Sequence, residues 1–288
     1  MLTFKSLAAN HKVIALDTID ISSVSFKGFV ANPQFQYYQG SITDFQLLRK
    51  CIKGVDVVIH LAAVSDGVAG AKDPALTQKI NVDALRIFIK ICKESGVSRF
   101  IFASTFGVYG NKYSEILTED LPLNPVDPYS ASKALGEEIV ISSNDKSFTT
   151  SCLRIAMVHG ISIITRYNFL VNNLASMARQ NQALNIYGGS QRRPQIHVQD
   201  IADYFLYFAL CRKNKIAGQV FNAVTENPSV KEMVDIIKKY CPELPVNYFP
   251  ERENESSFMM SCGKLTRILK LTPAYTIADS IRPIIWER

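Results

Sequence analysis

A tyrosine and a lysine with complementary proton chemistry stand four residues apart, as Tyr129 and Lys133. Residues at this spacing share one face of an α-helix. A free phenol has a pKa of about 10, and a neighbouring ammonium favours its ionised form. The pair could therefore exchange a proton at neutral pH, although the same spacing also occurs in ordinary amphipathic helices.

Hydroxyl side chains upstream favour the chemical interpretation. The apolar run 100–103 ends in Ser104 and Thr105, which predicts a buried parallel strand with hydroxyls at its carboxyl end. Pro128 and the good helix formers after it predict a helix that carries the tyrosine and the lysine. A hydroxyl donor, a phenol and an ammonium together can handle protons.

These residues resemble the extended short-chain dehydrogenase/reductase family, in its NAD-dependent nucleotide-sugar epimerase and dehydratase branch. In that branch a Ser or Thr after the strand precedes Val-Tyr-Gly, which stands here at 108–110, and works with Tyr-x-x-x-Lys. The resemblance implies that Thr105 orients the substrate, with Ser104 beside it at the cofactor. It further implies that Tyr129 is the catalytic acid and base, and that Lys133 lowers the pKa of this tyrosine and holds the cofactor ribose.

Two predicted strands end in candidate ligands for the adenosine half of the cofactor. The first, 13–17, ends in Asp17. An acid at this position accepts from the adenosine ribose and repels a 2′-phosphate, so Asp17 favours NAD over NADP unless it only caps a turn. The second, 35–40, is followed by Ser41 and Ile42 where relatives carry Gly-Asp-Ile. The resemblance implies an adenine contact here, weakened because the aspartate is missing.

The strand predicted over 55–61 runs into Leu61, Ala62 and Ala63. Small residues there allow a bound cofactor to approach the backbone closely. The segment resembles the family's His-Leu-Ala-Ala, and we interpret His60 as structural.

The remaining pattern predicts the scaffold. Residues 74–94 are predicted to form one long amphipathic helix that ends at Gly96. Its Asn81 matches a family asparagine that steadies the active-site strand. Further strands are predicted at 149–154 and 219–222, and further helices at 201–211 and 229–240, the last with Ser229 as its cap.

Candidate substrate ligands follow in the last third of the chain. Asn172 resembles the family asparagine that contacts the nucleotide diphosphate. Arg192 and Arg193 are adjacent, and guanidinium groups bind phosphate oxygens in a bidentate manner, so we predict Arg193 as a phosphate ligand. A solvated arginine pair is the alternative. Arg252 resembles a second diphosphate arginine, although Glu251 and nearby acids oppose an anion there.

The predicted fold is α/β: a Rossmann-like doubly wound parallel sheet with its first strand missing, and a smaller C-terminal region. We predict a NAD-binding domain over 1–160 and a mainly substrate-binding region over 161–288, with some segments returning to the main sheet. No Gly-x-x-Gly-x-x-Gly turn for the pyrophosphate is present. Either the sequence starts inside a longer reading frame, or the strand ending at Asp17 shifts beside 55–61 and cofactor binding is weak or lost.

Composition narrows the class of protein. The chain has 288 residues, 47% hydrophobic content and a net charge of +6, with basic and acidic residues interspersed. We therefore predict no nucleic-acid partner, no metal and no membrane span. Six scattered cysteines without a Cys-x-x-Cys pair indicate reduced thiols and a cytoplasmic location. The resemblance also implies a homodimer.

By resemblance, the reaction is hydride transfer between a nucleotide-linked sugar and NAD, giving an epimer. A 4,6-dehydratase is disfavoured, because such relatives carry Asp-Glu after the catalytic threonine and this chain carries Phe106-Gly107. The alternatives are a nucleotide-sugar reductase, or a degenerate protein that binds a sugar nucleotide or a partner without catalysis.

Overall fold

The computed structural model describes residues 1–20, 27–111, 116–252 and 257–286. Contacts within the chain divide it into two compact units. The first contains Met1–Gly110, Pro122–Arg154 and Ala202–Phe221, and the second contains Asn111–Leu121, Ile155–Ile201 and Asn222–Arg288. Each unit is thus assembled from separate parts of the sequence.

Strands and helices alternate through most of the chain. The strands are β1 (Val13–Asp17), β2 (Phe35–Gln39), β3 (Val57–His60), β4 (Arg99–Thr105), β5 (Ile116–Leu117), β6 (Thr149–Ile155), β7 (Met157–His159), β8 (Leu184–Tyr187), β9 (Gln195–His197), β10 (Gln219–Ala223), β11 (Val246–Phe249) and β12 (Met259–Met260). The helices are α1 (Leu2–Ala8), α2 (Lys27–Val30), α3 (Phe45–Cys51), α4 (Gly67–Lys72), α5 (Pro74–Gln78), α6 (Ala84–Glu94), α7 (Pro128–Ser142), α8 (Leu170–Arg179), α9 (Val198–Leu210), α10 (Val230–Tyr240), α11 (Gly263–Leu269) and α12 (Ile277–Trp286). Short 3₁₀ turns lie at Phe106–Tyr109 and Lys213–Lys215, and a π-helical turn lies at Lys79–Asp83.

The described strands form one four-stranded sheet, in the order β10-β6-β4-β3, and several strand pairs. β3 and β4 run parallel, with His60 opposite Phe102. β1 pairs in parallel with β2 and, in the described ranges, not with β3. The hypothesis that the strand ending at Asp17 shifts beside 55–61 is therefore wrong for this structure.

The first unit has a core between β4 and the helices α3, α6 and α7. Phe100, Leu85 and Val140 are fully buried in it. Burying a side chain of this size stabilises a fold by roughly 1.5–3 kcal/mol. Leu16 of β1 and Val58 of β3 pack against the same cluster, so both sheets of this unit share one core.

The second unit has its own core around β8. Buried residues of α8, α10 and α12 meet there, including Ala175, Ile186, Ile237 and Ile281. Parallel pairs β8–β11, β5–β12 and β7–β9 belong to this unit. Among helices in the described ranges, none combines the length and apolar content that crossing a bilayer requires.

The α/β fold class and most predicted elements are confirmed. The predicted helix 74–94 is instead interrupted by the π-helical turn at Lys79–Asp83. Asn81 lies in this wide turn, and its side chain bonds to the backbone of Val64 and to Ser132. Because π turns occur where a side chain must reach out of register, these bonds give the physical reason for the interruption.

Candidate functional site

Helix α7 begins at its predicted position because Asp127 caps it. The Asp127 carboxylate accepts from the Ser130 backbone N–H at 2.9 Å and from the Ser130 hydroxyl at 2.6 Å, and Pro128 occupies the first turn. Gly136 allows the helix to approach β4, since a Cβ there would lie 2.6 Å from the Phe102 ring. The cap and this close approach fix the helix face that carries the candidate tyrosine and lysine.

Lys133 is buried with its ammonium against the end of β4. Its Nζ donates to the Ala103 carbonyl oxygen at 2.8 Å and lies 5.9 Å from the Tyr129 ring centroid. Burial lowers the pKa of Lys133 from 10.5 to about 8, against the opposing influence of Cys152 and Glu137. The lysine is therefore mostly charged at neutral pH, and its charge favours the ionised form of the half-buried Tyr129.

Thr105 ends β4 with its hydroxyl held in one orientation. Its Oγ1 accepts from the Gly107 backbone N–H at 3.2 Å, which starts the 3₁₀ turn. A hydroxyl that accepts this bond still has its own hydrogen to donate. Thr105 can therefore present a donor next to the tyrosine-bearing helix.

Ser104 has a different environment from its neighbour. It is buried, and its Oγ donates to Glu137 Oε1 at 2.5 Å. Its hydrogen is already committed inside the protein. We therefore leave Ser104 out of the proposed cofactor ligands, although sequence resemblance placed it there.

Asn81 links the helix to the exit of β3. Its amide accepts from Val64 N at 2.8 Å and donates to Ser132 Oγ at 2.9 Å, and Ser132 in turn donates to the Tyr129 carbonyl. The backbone of Tyr129 is thus tied through two side chains to the strand exit. This arrangement agrees with the scaffold role predicted for Asn81.

His60 lies in an aromatic cluster at the end of β3. Its ring stacks on Phe102 with 5.9 Å between centroids and an interplanar angle of 14°, and it also contacts Phe88 and Phe100. Burial, and secondarily the charge of Lys133, lower the pKa of His60 to about 3. The ring is neutral at physiological pH, which agrees with its interpretation as structural.

The candidate adenosine ligands share the carboxyl edge of the pair β1–β2. Asp17, at the end of β1, is exposed, and its Oδ1 accepts from Ile19 N at 3.2 Å. Ser41 Oγ lies 2.8 Å from Thr43 Oγ1 and accepts from the Thr43 backbone, and Ile42 is buried. One carboxylate oxygen of Asp17 thus caps a turn, and the other oxygen takes no part in this cap.

A pocket of about 310 Å³ lies in the second unit. Apolar side chains form part of its wall, namely Leu170, Leu174, Met177, Ile186 and Val230. Polar side chains complete the wall, namely Asn173, Asn185, Tyr187, Gln191 and Arg193. The wall thus combines apolar side chains with convergent polar groups, as small-molecule sites do.

Arginines meet aromatic rings at this pocket. Arg193 lies 5.7 Å from the centroid of Phe258, and Arg252 stacks on Tyr187 at 3.7 Å. Arg192 instead donates to the Asn227 carbonyl at 2.7 Å and pairs with Glu232 at 3.3 Å. Arg193 lines the pocket and Arg192 is not among the lining residues, so the preference for Arg193 as an anion ligand has a structural basis.

Residues 2–223 match the sequence model of the NAD dependent epimerase/dehydratase family. This chain belongs to that family. The resemblance inferred from its motifs is thereby confirmed.

Two curated relatives illustrate the family's range. The dTDP-D-glucose 4,6-dehydratase of Dictyostelium discoideum is 30% identical over 234 residues, which cover 75% of this chain and 53% of that protein. The chain thus spans about half the length of this relative. The UDP-glucose 4-epimerase of Lactobacillus helveticus is 24% identical over 277 residues, covering 89% of this chain and 84% of that enzyme.

A solved structure shares the fold of this family member. The UDP-glucuronic acid 4-epimerase of Bacillus cereus, in complex with UDP-glucuronic acid and NAD, superposes with a TM-score of 0.86 at 23% identity. The alignment covers 98% of this chain and 92% of that one. At this identity the similarity establishes the fold.

Several residues expected to hold NAD lie along one edge of the four-stranded sheet. β3 and β4 are parallel and in register, so Leu61–Ala63 and Thr105 follow the same edge. Ala62 and Ala63 have small side chains, and the Lys133 ammonium would be the donor to a bound ribose. At the adenosine end Asp17 is exposed, but the sequence contains no Gly-x-x-Gly-x-x-Gly turn for the pyrophosphate.

The structure reassigns one candidate of this family member. Asn172 is buried, and its amide bonds to both backbone groups of Gly160 and to the Arg166 carbonyl, so it organises the loop before α8. Its neighbour Asn173 is exposed and lines the pocket. We therefore transfer the proposed ligand role from Asn172 to Asn173.

Four polar residues of the pocket wall were not predicted as ligands from the sequence, namely Asn173, Asn185, Tyr187 and Gln191. Tyr187 and Gln191 line the wall, and Gln191 shapes the loop by accepting from Gly189 N and donating to the Tyr187 carbonyl. The positive φ angles of Gly188 and Gly189 allow this loop to turn. The Gly-Gly pair was the available sequence signal, but it indicates a turn and not a ligand site.

Proposed function

We propose that this chain acts as an NAD-dependent nucleotide-sugar epimerase. The observation that supports the proposal most strongly is the placing of Tyr129 and Lys133 on one face of α7, with the Lys133 ammonium bonded at the end of β4 beside Thr105. Family membership supplies the cofactor and the reaction class. The proposal covers the catalytic roles of all three residues.

The chain's own groups would move one proton in each direction. When bound, NAD would accept a hydride from the sugar carbon and later return it. Tyr129 removes the proton of the hydroxyl on that carbon, and Lys133 stabilises the phenolate that must be present to do so. Thr105 donates to the sugar oxygen and holds it toward the phenol. Once the sugar carbon has been reduced again on its other face, Tyr129 would return the proton to the sugar oxygen, which gives the epimer.

The pocket of the second unit is proposed to hold the nucleotide diphosphate. Arg193 supplies a guanidinium group and Asn173 an amide at its wall, and a second guanidinium group, that of Arg252, stacks on the wall residue Tyr187. Guanidinium groups bind phosphate oxygens in a bidentate manner. The apolar wall suits the flat face of a nucleobase, and the identity of the base and sugar stays open.

A 4,6-dehydratase is less well supported, for a steric reason. Those relatives carry a glutamate where this chain has Gly107. A Cβ at position 107 would lie 2.6 Å from Ser130 Oγ and 3.5 Å from Thr105 Oγ1. The glutamate would therefore displace the Ser130 hydroxyl, which donates to the capping Asp127.

A second candidate is a protein that binds a sugar nucleotide without catalysis, and a reductase is the remaining enzymatic alternative. The pairs β1–β2 and β3–β4 belong to different sheets, and this separation favours the non-catalytic candidate. The groups proposed for the two halves of NAD would then be held on separate sheets.

A substrate panel tests the proposal. The purified chain is incubated with UDP-, GDP- and dTDP-sugars and NAD, and the products are separated by chromatography. We expect an epimer from at least one sugar and none from Tyr129→Phe. NAD binding, measured by fluorescence titration, separates the candidates: binding without product from any sugar supports the non-catalytic candidate, and NADH consumption with a keto-sugar supports the reductase.

We also propose a cytoplasmic homodimer that pairs through helices of the first unit. Leu76 of α5 and Ile87 of α6 are 43% and 39% exposed, and the proposed interface would cover them. Light scattering after size exclusion should give twice the chain mass of 32.2 kDa. A monomeric mass for the wild-type chain at micromolar concentration would contradict this.

A further inference from the structure

A buried ion pair lies directly behind the candidate catalytic residues in the first unit. Glu137 and Arg154 are both almost fully buried. Arg154 donates from Nε to Oε1 at 3.0 Å and from NH2 to Oε2 at 2.8 Å. Breaking such a pair costs about 3–5 kcal/mol, whereas apolar residues of the same size would serve stability as well. Stability alone therefore does not explain the pair.

The pair holds the strand end that carries Thr105 from both sides. Before Thr105, Ser104 donates to Glu137 at 2.5 Å. After it, the Tyr109 hydroxyl accepts from Arg154 NH1 at 2.9 Å, at the end of the 3₁₀ turn. Thr105 is therefore bracketed by two bonds to one charged pair.

Glu137 also lies on the face of α7 that carries the two candidate catalytic residues of this helix. Tyr129, Lys133 and Glu137 are spaced four residues apart and share one helix face. Lys133 bonds to the carbonyl of Ala103 and Glu137 to the hydroxyl of the next residue, so two successive helical turns hold two successive residues of β4.

Among the titratable groups that face Lys133, one carries a negative charge. His60, on β3, is neutral, because burial lowers its pKa to about 3. Cys152, on β6, is protonated, because burial raises the pKa of its thiol well above the ordinary value. Arg154, also on β6, is bound to the carboxylate of Glu137. Among these groups and Tyr129, the Glu137 carboxylate is thus the fixed anion.

We propose that Glu137 is a positioning residue of this site: with its ion-pair partner it fixes the strand end that carries Thr105, and its negative charge holds Lys133 protonated. The inference rests on the proposed function for the chemical roles of Thr105 and Lys133. The contacts themselves do not depend on turnover, so they can be tested in the free protein.

The first test removes the charge of Glu137 and keeps its shape. Glu137→Gln is compared with Glu138→Gln, the same change at the next, exposed position of α7. The titration of Lys133 is followed by its ¹³Cε resonance in the free protein, assigned by its loss in Lys133→Met. We expect half-titration near pH 8 in wild type and Glu138→Gln. In Glu137→Gln we expect about tenfold weaker proton binding, one pH unit lower.

The second test addresses the bracketing of Thr105 and does not remove a buried charge. Tyr109→Phe deletes the hydroxyl that accepts from Arg154. We expect amide exchange at Gly107, whose N–H is bonded to Thr105, to become about tenfold faster, with the Lys133 titration unchanged. In an active preparation we expect both variants to lower kcat and leave KM unchanged.

Either readout can overturn the inference. An unshifted Lys133 titration in folded Glu137→Gln would exclude the charge effect, and unchanged Gly107 exchange in Tyr109→Phe would exclude the bracketing. If Glu137→Gln does not fold, Tyr109→Phe still decides whether the bond from Arg154 holds the strand end that carries Thr105. Since no readout in the free protein needs substrate, absence of epimerase activity would count against the proposed function and leave these results standing.

Discussion

The proposed catalytic residues of the first unit and the arginines at the pocket of the second unit are held in different ways. Lys133 is buried and bonded to the backbone of β4. Arg193, at the pocket wall, and Arg252, over the wall residue Tyr187, instead lie against aromatic rings. The first arrangement fixes geometry before any ligand arrives, and the second can adapt to the ligand. Substitutions in the first unit should therefore reduce turnover, and substitutions in the second should reduce affinity.

The most direct way to break this comparison is Tyr129→Phe. This change removes the proposed acceptor of the sugar proton, and general acid–base catalysis contributes about 10²–10⁴-fold. We expect kcat to fall about 10³-fold while NAD binding, measured by fluorescence, changes less than about threefold. Turnover within tenfold of wild type would show that another group transfers the proton.

Lys133→Met tests whether the buried charge serves chemistry at the expense of stability. Folding lowers the pKa of Lys133 from 10.5 to about 8, so the unfolded chain binds this proton more tightly. The buried charge therefore destabilises the fold at pH values below about 8, and this penalty disappears as pH rises from 8 to 10.5. At 1.36 kcal/mol per pH unit the penalty is about 3 kcal/mol at pH 7.

We expect Lys133→Met to be inactive and, after loss of one hydrogen bond of about 1 kcal/mol, more stable than wild type by about 2 kcal/mol at pH 7. Urea unfolding at pH 7 and pH 10 measures this. The advantage should vanish at the higher pH. A variant that is less stable than wild type at pH 7 would mean that interactions of the Lys133 ammonium in the folded chain outweigh the cost of burying its charge.

A matched pair of arginine variants sharpens the second half of the comparison. Arg193→Met should raise KM for the nucleotide sugar about tenfold, since a charged hydrogen bond contributes about 1.5–3 kcal/mol and solvent screens part of it. kcat should stay within about twofold. Arg192→Met is the control, because Arg192 is bound to Asn227 and Glu232. Equal effects of the two variants would remove the proposed assignment.

The smallest expected effect concerns the packing of α4 on α7. A Cβ at Gly70 would lie 2.9 Å from Tyr129 Cβ and 3.0 Å from its backbone N, whereas one at Gly67 would meet only Asp127, at 3.4 Å. We expect Gly70→Ala to shift the tyrosine by tenths of an ångström and lower kcat about tenfold. Gly67→Ala should be close to wild type. Identical rates for both would show that α7 accommodates the methyl group.

Sequence reasoning worked best where one element carries the chemistry. The Tyr-x-x-x-Lys spacing, Pro128 and the apolar run before Ser104 predicted α7 and β4 because each feature is local. The same reasoning could not separate Ser104 from Thr105. The difference depends on Glu137, which lies 33 residues away in sequence and meets Ser104 only in the fold.

The pocket of the second unit was harder to predict. Its wall combines residues of α8, β8 and α10 with the loop before Arg193. The sequence of each segment gives no indication that it meets the other segments in the fold. Asn172 and Asn173 are adjacent and chemically identical, and only burial shows that one of them organises a loop. The π-helical turn was missed for a similar reason, since the apolar spacing of 74–94 continues through it.

That π-helical turn also bears on how the chain tolerates insertions and deletions. A π turn is an α-helix with one residue too many, so removing a residue within Lys79–Asp83 would restore a regular helix from Pro74 to Glu94. The helix would survive with its flanking residues in register, but the wide turn that carries Asn81 would be lost. Asn81 could then no longer reach Ser132 and Val64 together. Deletion of one residue there would leave an intact helix but would break the chain of hydrogen bonds that ties the backbone of Tyr129 to the exit of β3.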